Sequence, residues 1–298
     1  MRSGLALAGL LLTPLAAHGQ VPGWADLWRV AASTVAGPLA LERGPTGMLW
    51  NPASVRDLRG LAVGVDVLQT PDVLGIGGVV AAVTQGVGSR VGIGAMVGRL
   101  AVQDLVRTTT SPTSRAGTIH VYTQFAALVT GAALGPAHVG VVVRAHDSRF
   151  DTAQEGGITA DVGIRISPMP ALTLAAATHF AEPPFRRGAG TAYFGAAELA
   201  ITTTTIWGSH FLVIGQYGIA HEERAGLEHR FTAGLALDDR LRVDWGWARE
   251  QGYGDASWRS TIALWFRTGR YRIAVARSDG LNGLGASFRL GLNAELFR

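Results

Sequence analysis

The chain has 298 residues, 48% of them hydrophobic and only 16% charged, which excludes a disordered protein. It carries 26 Lys+Arg against 22 Asp+Glu and no cysteine, so a disulfide scaffold, a cysteine nucleophile and a thiolate zinc site are excluded. Every basic residue is arginine, which excludes a P-loop lysine or a Schiff base, and the arginines are scattered singly rather than in the stripe of a nucleic-acid binder.

Residues 1–19 read as a signal peptide. Arg2 supplies a positive charge, Leu5 to Leu15 an apolar run, and Ala17-His18-Gly19 small residues at the cleavage positions. The apolar run, about 11 residues, is too short to anchor the chain as a spanning helix.

Residues 20–59 show no alternation. Pro38, Pro45 and Pro52 bar this segment from a central strand. It is read as a plug or hatch inside a barrel, the alternative being a periplasmic tail.

From residue 60 to 298 a period of two dominates, the mark of strands with one apolar side. The clear strands begin with Leu61, Val63, Val65 and Val67 and with Ile119, Val121, Thr123, Phe125, Ala127 and Val129. Ile158 to Ile166, Phe231 to Leu237, Leu241 to Trp247 and Tyr271 to Val275 follow. In the last, Phe288, Leu290, Leu292, Ala294 and Leu296 alternate with Arg289, Gly291, Asn293 and Glu295. Weaker candidates are Leu74–Thr84, Val91–Val102, Ala137–Asp147, Leu172–Phe180, Ala192–Thr202, His210–Glu222 and Trp258–Phe266. Together they make about 14 strands.

The longest apolar stretch, Phe125 to Val143, is broken by Gly131, Gly135 and Pro136, so it is no membrane helix. Only helices and closed barrels satisfy every backbone group in a bilayer. The choice is therefore between a membrane barrel and a soluble sandwich or solenoid. Gly- and Ala-rich polar faces favour a lumen over a solvated surface. The fold class is thus all-β, a transmembrane antiparallel up-and-down barrel with an N-terminal lumenal plug, in the bacterial outer membrane among its lipids. Longer connections are expected at Asp104–Gly117, Ser148–Gly156, Ala181–Gly190 and Gln251–Ser257, alternating with short ones, as in outer-membrane barrels. Phe180, Trp207, Phe211, Trp258, Phe266 and Tyr271 lie near strand ends and suit interfacial girdles.

The run Leu49-Trp50-Asn51-Pro52-Ala53 resembles the W-N-P-A segment near the N-terminus of PorV/PorQ-like proteins, which belong with the FadL-type (long-chain fatty-acid transporter) barrels. Ser54 follows where that family often has glycine. Residues 289–296 also resemble the terminal assembly signal of bacterial outer-membrane barrels. The family resemblance implies a 14-stranded barrel with an N-terminal hatch formed around Trp50, Asn51, Pro52 and Ala53. It implies either passage of a small hydrophobic ligand or an accessory role toward exported proteins, as in type IX secretion. The alternatives are a general diffusion porin and a purely structural protein.

No enzymatic constellation emerges. His138, His146 and Arg144 share an inward face, and the eight histidines show no HExxH and no carboxylate pairing at metal-ligand spacing. No catalysis, cofactor, metal or nucleic-acid partner is expected. Gly75-Ile76-Gly77-Gly78 and Gly92-Ile93-Gly94 have no helix after them, so they read as lumenal glycines leaving room for the plug rather than as a dinucleotide loop. The polar faces carry Asp66, Arg144, Asp161, Arg165, Glu198, Arg230, Arg242, Asp244, Arg259, Arg272, Arg289 and Glu295. Their mixed signs point to arginine–carboxylate pairs bracing the plug rather than to a charged filter. Trp50 is expected against the small-residue wall and Asn51 hydrogen-bonded to it.

Overall fold

A computed structural model describes residues 26–57, 60–108, 115–181, 196–207, 210–222, 226–238, 240–252, 255–280 and 285–297. The expected signal peptide lies outside these residues. No helix among them is long and apolar enough to cross a membrane.

Strands close into one antiparallel barrel. The first are β1 (Leu61–Gln69), β2 (Ile76–Val87) and β3 (Val91–Val102). A small hairpin outside the barrel follows, β4 (Val106–Thr108) and β5 (Arg115–Thr118). The barrel resumes with β6 (Val121–Leu134), β7 (Ala137–Phe150), β8 (Ala153–Met169) and β9 (Leu172–His179). It continues through β10 (Ala196–Trp207), β11 (Phe211–Glu222), β12 (Gly226–Leu237) and β13 (Leu241–Gly252). β14 (Asp255–Thr268), β15 (Tyr271–Asp279) and β16 (Ala286–Phe297) complete it. Each strand pairs with the next in the chain, except that β3 bypasses the hairpin to meet β6. The ring closes where β1 meets β16, Val65 opposite Leu292 and Asp66 opposite Gly291. The barrel thus has 14 strands, one for each run of alternation in the sequence.

Alternation sets the two faces. Val65, Val67, Val243, Trp245, Ile273, Val275, Leu290 and Leu292 are exposed on the outside, where an outer-membrane barrel meets lipid. Asp66, Asp244, Ala274 and Arg289 point inward, buried or half-buried.

One strand runs against expectation. On β6 the apolar residues Phe125, Ala127 and Val129 are buried inside, while Ala126, Leu128 and Thr130 face out. The reason is the plug: this sector of the lumen is itself apolar, so both faces of β6 are, and the period alone does not orient it.

The connections at one end are tight, at 88–90, 135–136, 170–171 and 269–270. At the other end, two of the expected long loops are largely strand. β7 and β8 turn directly through Asp151, whose φ is 60°, and β13 and β14 pair as far as Gly252 and Asp255. Strand pairing needs no apolar residue beyond the bilayer, so loss of the apolar pattern there marked the edge of the lipid rather than of the strand. The long connections are the one carrying β4 and β5 and the one after β9, whose residues 182–195 fall outside the described set.

Candidate functional site

Residues 26–57 fill the lumen. Their local structure follows from their punctuation. Asp26–Ser33 forms a helix, α1, with Trp28 and Ala32 buried on one face and Val35, just past its end, continuing their i, i+4, i+7 spacing. Ser33 and Thr34 hydroxyls donate to the carbonyls of Val30 and Ala31 at 2.7 and 2.8 Å, and the helix ends there. Each proline then opens a short 3-10 turn: Pro38 before Leu39–Leu41, Pro45 before Thr46–Leu49, and Pro52 at the first position of Pro52–Arg56. Asn51 caps the last of these, its Oδ1 accepting from Ala53 N at 2.9 Å.

The wall meets this segment with glycines. A Cβ at Gly163 would overlap Asn51 Oδ1, one at Gly140 would overlap Pro52, and one at Gly246 would overlap the carbonyl of Ala36. At Gly92 it would lie 2.7 Å from Val55 O, at Gly94 2.7 Å from Met48 Sδ, and at Gly218 2.7 Å from Pro38. The plug backbone therefore lies where side chains of the wall would otherwise be. Gly75 and Gly77 differ from the expectation: Gly75 takes a positive φ of 59° in a turn, and Gly77 lies against Gln103 rather than the plug.

Arginines of the wall grip the plug, some beside its apolar contacts and some across the lumen from them. Arg165 pairs with Asp57 of the plug and donates to Glu42 O at 2.7 Å. Arg144, fully buried, pairs with Asp161 on the neighbouring strand and donates to Leu49 O at 2.8 Å. Arg230 pairs with Glu228 and donates to Ala32 O at 3.1 Å, beside Thr232 Oγ1, which donates to Ala36 O at 2.8 Å. Arg289 bonds Asp66 at 2.7 Å and lies 3.9 Å from Glu42 of the plug. Glu198 accepts from Ala40 N at 2.8 Å and contacts His179 Nε2 at 3.2 Å.

The pairs expected from the mixed charges are present, but most join wall to wall. What reaches the plug is mainly guanidinium to backbone carbonyl. A guanidinium has five donors, so one that neutralises a carboxylate still has others for the plug. Pairing also offsets the cost of burying the charge. Arg242 bonds Asp244 at 2.8 Å, and Trp265 Nε1 donates to the same carboxylate at 3.2 Å. Arg259 is buried on the same inner face, and Arg272 is half-buried on it.

Two plug carboxylates differ in their electrostatics. Burial pushes Glu42 above the ordinary carboxylate pKa, an effect that Arg289 only partly offsets. Burial acts on Asp57 in the same direction, but Arg165, His138 and Arg43 outweigh it and hold the group below its usual value. His138 Nδ1 lies 3.6 Å from Asp57.

One sector of the plug is apolar. Trp28, Met48, Leu49, Trp50 and Val55 pack with Leu68, Val80, Met96, Leu100, Phe125, Val129 and Val142 from β1, β2, β3, β6 and β7. Trp50, expected on the small-residue wall, packs edge-on to His179 and Phe180 instead, each 6.1 Å between centroids. Asn51 touches the wall at Gly163 but bonds within the plug, its Nδ2 donating to Ala40 O at 2.6 Å. Its donors and acceptors are taken up in holding two plug turns together, which a bond to a glycine-lined wall could not do. Pro52 and Ala53 are buried beside it.

Phe180 corrects the girdle expectation, being 2% exposed inside the lumen. Phe211, Phe266, Tyr271 and Trp258 do face outward, and the side chain of Trp207 lies outside the described set. Sequence reasoning passed over Trp28 and put Phe180 at the interface. The i, i+4, i+7 spacing of Trp28, Ala32 and Val35 was the available signal for the first, and none was available for the second.

Among the described residues no cluster of His, Asp and Glu is arranged to hold a metal ion.

No protein-family model and no curated protein sequence matches this chain. Solved structures match its fold. The toluene transporter TodX of Pseudomonas putida is 11% identical with a TM-score of 0.52, over 88% of this chain and 95% of that one. A FadL homologue of Pseudomonas aeruginosa is 10% identical with a TM-score of 0.52, over 88% and 96%. The toluene transporter TbuX of Ralstonia pickettii is 13% identical with a TM-score of 0.50, over 86% and 96%. At such identities the likeness is one of fold: this chain shares with them a closed barrel, here of 14 strands with an apolar outer face.

Proposed function

We propose that this barrel passes a small hydrophobic compound across the outer membrane along the apolar side of its plug. The observation that carries this reading is the division of the lumen. Arginines from β8 and β12 clamp one part of the plug, while toward β1, β2, β3 and β6 the plug meets the wall mainly through apolar contacts, from Trp28 to Val55, with Arg144 at their edge. Apolar contacts are non-directional, so an apolar guest replaces them at little cost, whereas a polar solute would lose its hydration there.

A cavity of about 30 Å³, room for about one water, lies in that seam between Leu49, Trp50, Leu68, Val80 and Leu100, with Asp66 and Arg289 at its edge. It reaches Val67 and Val79, whose side chains face outward, so the seam leads toward the barrel wall. The toluene transporters that share the fold support a hydrophobic cargo. An accessory role toward exported proteins rests on the Leu49–Ala53 resemblance alone, and those residues are buried, where no partner reaches them. The test is uptake of labelled toluene by Gram-negative cells with and without the protein. Saturable, protein-dependent uptake supports the reading, and uptake equal to that of cells lacking the protein contradicts it.

A further inference from the structure

β9 ends at His179, and the next residue leaves the wall. Phe180 has a φ of 54°, in the left-handed region that a bulky side chain adopts only when its surroundings hold it there. The hold is specific. Ala181 N donates to Asp161 Oδ1 at 2.8 Å, and Ala181 O accepts from Ala160 N at 2.9 Å. The turn swings the phenyl ring out of the wall and into the lumen.

There the ring is boxed. Trp28 stacks on it at 6.4 Å and Trp50 meets it edge-on at 6.1 Å. The Arg144 guanidinium lies 4.8 Å over its centroid. Phe125 closes the box behind Trp28, 4.9 Å from that indole and 6.0 Å from the same guanidinium. One carboxylate, Asp161, holds both Arg144 and the Ala181 amide, so the box and the turn that fills it share an anchor. The indole N–H of Trp28 is buried with no acceptor among the described residues, so the box is not a fully satisfied core.

We propose that Trp28, Trp50, Phe125 and Arg144 form a binding site for a neutral single-ring aromatic compound, and that the ring of Phe180 fills it until such a compound displaces it. The inference rests on the transport reading above and names the class of its cargo. A cation is drawn to the face of a π system and gains nothing comparable from a saturated ring, so this site selects aromatic over aliphatic guests of one size. Simple core packing needs neither a guanidinium against the ring nor a left-handed backbone to deliver it. Displacement also releases that strained backbone, which favours exchange.

The experiment places 4-fluorophenylalanine at position 180 of the full chain, purified in detergent, and follows its fluorine resonance during titration with toluene and, separately, methylcyclohexane. The site predicts a saturable move from a ring-current-shifted position toward that of an exposed ring with toluene, and none with methylcyclohexane. A resonance unmoved by toluene, or moved equally by both, overturns the site. Saturable toluene uptake by cells alongside an unmoved resonance removes this site while leaving the transport reading in place.

Discussion

Asn51 of the plug and Gly163 of β8 occupy one another's space: the amide oxygen of Asn51 lies where a Cβ on residue 163 would be. The same oxygen caps the turn beginning at Pro52, and the amide nitrogen ties that turn to Ala40. A methyl group at residue 163 therefore pushes on the point where the plug is knotted to itself. Gly163→Ala is expected to cost about 1–3 kcal/mol, the usual penalty of overpacking. The variant should still form the barrel, judged by heat-modifiable migration on gels, but melt lower and conduct more ions in planar bilayers.

Asp57 makes the plug's attachment sensitive to acid. Its folded pKa lies below the ordinary value because of Arg165, His138 and Arg43, acting against burial. The contribution is therefore complete above the ordinary aspartate pKa and is lost as pH falls through the lowered folded value. Thermal melts of the wild type and Asp57→Asn should converge in strong acid and separate on raising the pH, with the wild type the more stable. Arg165→Met leaves Asp57 buried without its main partner and should cost about 3–5 kcal/mol at neutral pH.

Glu42 carries the opposite sign. Burial raises its folded pKa, Arg289 and Arg242 lower it, and Asp66 and Asp244 push it up again. Stability then falls as pH rises from the ordinary glutamate value through the raised one. Glu42→Gln should melt higher than the wild type at neutral pH and equal to it in acid. A variant less stable than the wild type at neutral pH would show that the contact with Arg289, at 3.9 Å, outweighs the burial.

The facing of β16 is open to a paired test. Leu292 is 47% exposed on the outer face, while Asn293 lies inside against Gly44 and Gly64 of plug and wall. Leu292→Arg should cost about 2–4 kcal/mol if that site lies near the bilayer midplane. Asn293→Arg should leave insertion intact and act on the plug instead. Urea or guanidinium titrations in lipid vesicles separate the two, and equal effects on insertion would contradict the facing.

The barrel was legible in the sequence because lipid enforces a strict alternation on the wall. Leu290 and Leu292 against Arg289 and Asn293 show it directly. Legibility failed where that enforcement stops. On β6 the inward Phe125, Ala127 and Val129 are at least as apolar as the outward Ala126, Leu128 and Thr130, so period two carried no sense of direction. Toward Phe150 and Gly252 the strands run on where the apolar pattern has already stopped. Inside the lumen, the charged residues of the wall could be placed from their period, but their partners could not. Leu49, Ala32 and Glu42 accept from arginine through their carbonyls, and a carbonyl is the same at every residue. Phe180 was misplaced because aromatic residues at strand ends usually face the interface, and only the turn at Phe180 itself sends the ring inward.

The central claim is that residues 26–57 seal the lumen. A barrel of 14 strands is wider than its own side chains fill, since about eight strands already suffice for a filled interior. The most direct measurement is single-channel conductance in planar bilayers, comparing the full chain with a variant lacking residues 20–57 whose barrel is shown to fold by heat-modifiable migration. The account predicts a nearly silent full-length protein and large, steady openings from the truncated one. Equal conductance from the two folded proteins would contradict it, placing the seal in the loops or leaving an open porin.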